Sequence, residues 1–206
     1  MKTEDDSRHR QFFWGLSNGI IVLALATVFW FGIVAAFGGR PWMLPMALSI
    51  VVLTPALLFG AIRVRRSAKG FGMADLKRAQ GPGRDEIQRI RVCFRWATLV
   101  QALVISLVVG LAMHYHREDL VWPGIGLGVS LHFLPLAWAF HVRIYYATAI
   151  AGGAISLAAL LAPSASLDAT TRIVFLGLGM GICMSATALY AALRANRLAS
   201  GWDDAA

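Results

Sequence analysis

Six stretches of predominantly apolar residues recur along the chain, at 12–37, 43–62, 96–113, 121–140, 145–161 and 172–193. A helix needs about 20 such residues to cross the hydrocarbon of a bilayer, within a range of about 17–25. Each stretch meets that length, and polar residues collect between them. The fifth is built largely from Ala, Gly and Ser and follows the fourth with almost no loop. The first is longer than the apolar region of a signal peptide, about 7–15 residues, and no small-x-small cleavage site closes it, so it is expected to remain as the first span. The pattern predicts an all-α integral membrane protein, a single domain over 1–206 with six transmembrane helices.

Composition agrees with that reading. Of the 206 residues 58 % are hydrophobic and only 15 % charged, and the mean hydropathy is +0.64. Soluble chains carry about 25 % charged residues, so a soluble enzyme, a disordered tail protein and a disulfide-stapled secreted domain are excluded. Cys93 and Cys183 are too few for a framework and read as reduced, structural residues.

The net charge of +8 is topological rather than a sign of nucleic acid. Sixteen of the 19 Lys and Arg fall on one side of the predicted spans: in the first residues, in 63–95, at Arg143, and at Arg194 and Arg197. Basic residues collect in cytoplasmic loops, so both termini are expected in the cytoplasm. Trp14, Trp42, Trp96, Trp122, Trp202, Tyr145 and Tyr146 stand near span ends, where amphipathic rings favour the headgroup layer.

Segments four and six share a pattern. Gly124, Gly126 and Gly128 alternate with apolar residues in one, Gly177, Gly179 and Gly181 in the other, and both segments run on to a basic end. Segment two aligns more weakly with segment four, Pro45 on Pro123 and Thr54 on His132. Segments one and three open alike, with Trp14 and Trp96 each followed by an amide, Asn18 or Gln101. Three consecutive hairpin repeats, parallel and related by an axis along the membrane normal, account for this. Gly124 with Gly128 and Gly177 with Gly181 are small-xxx-small pairs, whose ordinary meaning is close helix packing.

The 63–95 segment is the one long connection. Gly70, Gly72, Gly81, Pro82 and Gly83 break it into turns, and Asp85 can cap an amphipathic helix leading into the third span. Its arginines suit anionic lipid headgroups, each worth about 1 kcal/mol near the surface. An acidic partner is the alternative. Aromatic and basic residues do not interleave there as a stacking platform requires, so nucleic acid is not an expected partner.

All 11 Asp and Glu lie in tails or loops. A carrier driven by a cation-binding carboxylate and a di-metal enzyme are both disfavoured, because each needs acids at membrane depth. Gly-x-Ser-x-Gly, P-loop and His-Glu-x-x-His motifs are absent, so no catalytic residue and no cofactor is assigned and the chain is read as non-enzymatic. His132 stands out near the middle of the fourth span, in Ser130-Leu131-His132-Phe133-Leu134-Pro135. Pro135 has no N–H, which leaves the Leu131 carbonyl without its helical partner and favours a kink. Three readings of His132 stand: a neutral imidazole bonded to a neighbouring helix, a ligand or gating group, or a metal or haem ligand without a good second partner. Ser130, Pro135, Thr54, Asn18 and Gln101 can line a polar cavity with it, or simply tie helices together. His114, His116, Glu118 and Asp119 cluster between spans three and four and read as a solvated polar turn; no metal site is assigned.

The run Leu131-His132-Phe133-Leu134-Pro135-Leu136-Ala137, followed by Arg143 and Tyr145-Tyr146, resembles a motif of small uncharacterised bacterial multi-pass membrane proteins. The likeness covers mainly spans three to five, and it implies a bacterial inner membrane and no activity. Mitochondrial carriers also have three hairpins, but their Pro-x-acid-x-x-base signature is missing after Pro55 and Pro135. The expected function is a channel or transporter binding a small neutral or weakly polar ligand near His132. The alternative is a structural or regulatory membrane subunit, able to form homo-oligomers through its Gly-rich helices. A haem- or metal-binding redox protein is a third reading.

Overall fold

The computed structural model describes residues 2–67, 82–140, 142–162 and 168–203. Among them the chain is helical apart from short turns, and no strand is present. Six helices follow one another among the described residues: α1 (Lys2–Phe37), α2 (Arg40–Ser67), α3 (Pro82–His114), α4 (Val121–Phe140), α5 (Arg143–Leu161) and α6 (Ala169–Asp203), with a 3-10 turn, Glu118–Leu120, ahead of α4. All six are long and apolar enough to cross a membrane.

Helix ends depart from the hydropathy pattern because a helix does not stop where its apolar stretch stops. α1 begins ten residues before the first apolar stretch, and α2 runs on through Arg63, Arg65 and Arg66. The helix expected to be capped by Asp85 opens instead at Pro82, placing Asp85 inside it, and continues into the span as one helix. Proline suits the first helical turn, where its missing N–H has no intrahelical partner to lose. Gly70, Gly72 and Gly81 of that connection lie outside the described residues. α4 remains helical through Pro135, and α2 through Pro45 and Pro55. Gly39, at φ +75°, makes the tight α1–α2 turn that a side chain would strain.

In space the helices run in the order α2, α1, α6, α5, α4, α3, and α6 also touches α2 and, less, α4. α1 and α6 form the centre, with 44 % and 50 % of their apolar windows buried. α2 and α3 form the margins, with 17 % and 11 %. α3 packs chiefly against α4.

Lipid tails are as apolar as leucine, so close backbone approach and interhelical hydrogen bonds must hold such helices together. Glycine supplies the approach. A Cβ on Gly124 or Gly128 would strike Val108 or Ile105 of α3, and one on Gly177 or Gly181 would strike Val34 or Phe31 of α1. The middle glycines turn elsewhere: Gly126 meets Ser156 of α5, and Gly179 meets Ile155 of α5. Each alternating triplet therefore serves two neighbours at once, as a 3.6-residue period requires of positions two apart.

Antiparallel α4 and α5 interlock through matched Gly-xxx-Ser pairs. Ser130 sits over Gly152 and Ser156 over Gly126, each hydroxyl 2.6 Å from where a glycine Cβ would stand. Both hydroxyls donate to the carbonyl four residues back, at 2.8 Å, and both lie about one sulfur contact from Met180 of α6, at 3.9 and 4.0 Å. One helical turn along, Thr148 and Thr187 share a buried 2.6 Å hydrogen bond between α5 and α6. Ser185 donates to Thr27 between α6 and α1, and Ser17 donates to the Ala61 carbonyl between α1 and α2.

Candidate functional site

The six residues expected to share a cavity do not come together. Ser130 belongs to the α4–α5–α6 seam, where its hydroxyl is spent on Gly126 and Met180. Asn18 and Thr54 lie half-buried on α1 and α2, and the Thr54 hydroxyl oxygen is buried with no partner. His132, Pro135 and Gln101 lie on the α3–α4 seam.

That seam is ordered along its length. Toward the Val121 end of α4 it is closed by Gly124 against Val108 and Gly128 against Ile105, with the Gln101 carbonyl 3.6 Å from the Gly128 Cβ position. Beyond Gly128 the character changes, because α4 now presents His132, Pro135 and Trp138. The His132 ring stands edge-on to Phe94 of α3, centroids 5.8 Å apart, with the Ala97 backbone beside it and Phe133 on its other flank. Its Nδ1 is buried without a hydrogen-bond partner. One turn further the Cys93 thiol donates to the Pro135 carbonyl at 3.3 Å, and then the Arg89 guanidinium lies over the Trp138 ring at 5.6 Å.

On this seam one buried side-chain group, the His132 Nδ1, is unpaired, and one turn along α4 Pro135 has no N–H to offer the Leu131 carbonyl. A buried polar atom with no partner costs free energy that a bound hydrogen-bonding group recovers. Phe94 forms the wall over the ring and is itself half exposed, so it separates His132 from the outward face of α3. Sequence reading missed both Phe94 and Cys93, since nothing in the order of residues tells which α3 positions meet α4.

The expected solvated turn between spans three and four is solvated at three of its four residues. His114, His116 and Glu118 are exposed, but Asp119 is drawn inward. Its Oδ2 accepts from Arg172 at 2.8 Å and its two oxygens accept from Arg117 at 3.0 and 3.1 Å. Arg172 sits in the first turn of α6 with 1 % of its side chain exposed, also donates to the Ala162 carbonyl at 3.0 Å, and has Nε unpaired. A guanidinium buried there demands a carboxylate, and Asp119 is the one in reach. This clamp joins the α3–α4 turn to the end of α5 and the start of α6. Exposed Arg117 is held more firmly protonated by its hydrogen bond and attraction to Asp119. Among the described residues no group of three or more His, Cys, Asp or Glu is placed to hold a metal.

Of the rings expected at span ends, Tyr145 stands in the first turn of α5 and is buried, against Phe133 and over Gly19 of α1, whose missing side chain makes room for its hydroxyl. Trp122 packs on Phe29 and Phe37.

Comparison with protein-family models, curated protein sequences and solved structures yields no match.

Proposed function

We propose that this chain is a non-enzymatic multi-pass membrane protein that binds and passes a small, neutral or weakly polar molecule at His132, on the seam between α3 and α4. The observation that carries this reading is the buried, unpartnered His132 Nδ1 one turn from the proline that frees the Leu131 carbonyl. The absence of acidic residues from the apolar stretches supports a ligand without net charge. Of the other expected residues, Ser130 then serves packing, while Asn18 and Thr54 lie apart from this seam on α1 and α2. We place the chain in a bacterial inner membrane with both termini cytoplasmic, on its basic residues and on the likeness of its Leu-His-Phe-Leu-Pro-Leu-Ala run. The arginines of 63–95 meet anionic lipid there. The kinship of segments four and six within three hairpins is supported by the equal use of their glycine triplets.

The test is thiol accessibility. With Cys93→Ala, Cys183→Ala and His132→Cys in the full chain, vesicles are treated with a bilayer-soluble alkyl maleimide and, separately, with a membrane-impermeant one. Labelling by the bilayer-soluble reagent is expected. No labelling of a folded protein by either reagent overturns the reading.

The second reading, a structural or regulatory subunit, is favoured by one feature of α3. Thr98, Ala102, Ser106 and Gly110 recur every fourth residue on its exposed face, and nothing lies within 4 Å of a Cβ at Gly110. Such a row lets another helix approach closely. If it does so in a homo-oligomer, Gly110→Leu lowers the mass of the particle measured in mild detergent. The haem or metal reading is tested by the absorption spectrum of the purified protein.

A further inference from the structure

We propose that the His132 site takes the hydroxyl group of a neutral, membrane-dissolved amphiphile that enters sideways from the bilayer past Phe94. The inference rests on the proposed ligand site at His132 and names the chemistry and the route of its ligand.

The chemistry follows from what is unpaired. His132 Nδ1 is buried with no partner, and the Leu131 carbonyl has lost its helical donor to Pro135. A neutral imidazole nitrogen either accepts or donates, according to which ring nitrogen holds the proton. The ring's other nitrogen faces the Ala97 backbone carbonyl, so it holds the proton and the unpartnered Nδ1 is the acceptor. A hydroxyl donates to it and stays neutral. A carboxylate has no proton to give, and an ammonium brings a charge into the apolar stretch. Along the seam Arg89 lies further on, over Trp138, and Arg95, beside Phe94, is exposed.

The route follows from the packing. The seam is shut beyond His132 by Gly128 against Ile105 and Gly124 against Val108. Behind the ring, Phe133 is buried and packs on Tyr145. On the outward side stands Phe94, 50 % exposed on a helix that packs chiefly against α4 and presents Trp96, Leu99, Val100 and Leu103 outward. A molecule reaching His132 from that side arrives from an apolar medium. It therefore brings an apolar body with it.

The experiment uses the full chain, labelled with 15N-histidine, in phosphatidylcholine nanodiscs. The His132 ring signals are assigned by their loss in His132→Gln. Should that variant fail to fold, a nitroxide on Cys93, in a Cys183→Ala background, identifies them by broadening. Three probes are added: 1-decanol, decane and glycerol. Decanol is expected to shift the His132 ring nitrogens, with decane and glycerol leaving them in place, and Phe94→Ala is expected to lower the decanol concentration at half-shift. Equal shifts with decane overturn the role of the hydroxyl. A shift with glycerol overturns the bilayer route and leaves the ligand site at His132 standing. No shift with any probe overturns both.

Discussion

Asp119→Ala tests the ion pair that ties the α3–α4 turn to the start of α6. Arg172 is 1 % exposed at its side chain, and its charge is answered by one carboxylate at 2.8 Å and one carbonyl at 3.0 Å. Removing one partner of a buried pair leaves an uncompensated charge, at a cost of about 3–5 kcal/mol. Asp119 keeps 21 % of its side chain exposed, so water offsets part of that loss and the lower end, about 3 kcal/mol, is expected. That is roughly two decades in the folded-to-unfolded ratio. Asp119→Asn retains an acceptor for Arg172 and should lose about half as much. Asp119→Leu combined with Arg172→Met replaces the pair by apolar groups and should return to within about 1 kcal/mol of the parent. Stability is read as the denaturant needed to expose the Cys183 thiol in a Cys93→Ala background, since Cys183 is half-buried between α5 and α6. A change below about 0.5 kcal/mol for Asp119→Ala, the size of an ordinary surface substitution, would refute the reasoning. Arg172 would then be neutralised by water or lipid rather than by Asp119.

Two further outcomes follow from the packing and the caps. Gly152→Ala puts a methyl 2.6 Å from the Ser130 hydroxyl and should cost about 1–3 kcal/mol in the same titration, whereas Gly32→Ala, with nothing within 4 Å, should be neutral or stabilising by up to about 1 kcal/mol. Asp168 caps α6 by accepting from the Thr171 N–H at 2.7 Å, which holds its carboxyl below the usual aspartate value. A depressed carboxylate stabilises the fold above its unfolded pKa, near 3.9, and that contribution fades as pH falls through the folded value. Asp168→Asn should therefore flatten the acid side of the stability profile measured by circular dichroism.

Much of this architecture was legible in residue order. Six helices follow from six apolar stretches because a backbone without water must bond to itself, and a helix does so within one segment. The meaning of Gly124, Gly128, Gly177 and Gly181 as packing positions was equally readable, since spacing by four puts them on one helix face. The matched Gly126-xxx-Ser130 and Gly152-xxx-Ser156 pairs carry the same spacing, so the α4–α5 interlock left a trace in the sequence as well.

What tertiary structure alone decided is which helices meet and through which face. His132 and Ser130 are two residues apart, yet helical geometry turns one toward α3 and the other toward α5 and α6. A single polar cavity drawn from their proximity in sequence therefore divides into a tied-up hydroxyl and an unpaired imidazole. Asp119 and Arg172 are 53 positions apart, and no local pattern joins them. Periodicity reports how one helix divides its own faces. Long-range pairing is set by the backbone approach that glycines permit and by the need of a buried charge for its counter-charge, and both are properties of the assembled bundle.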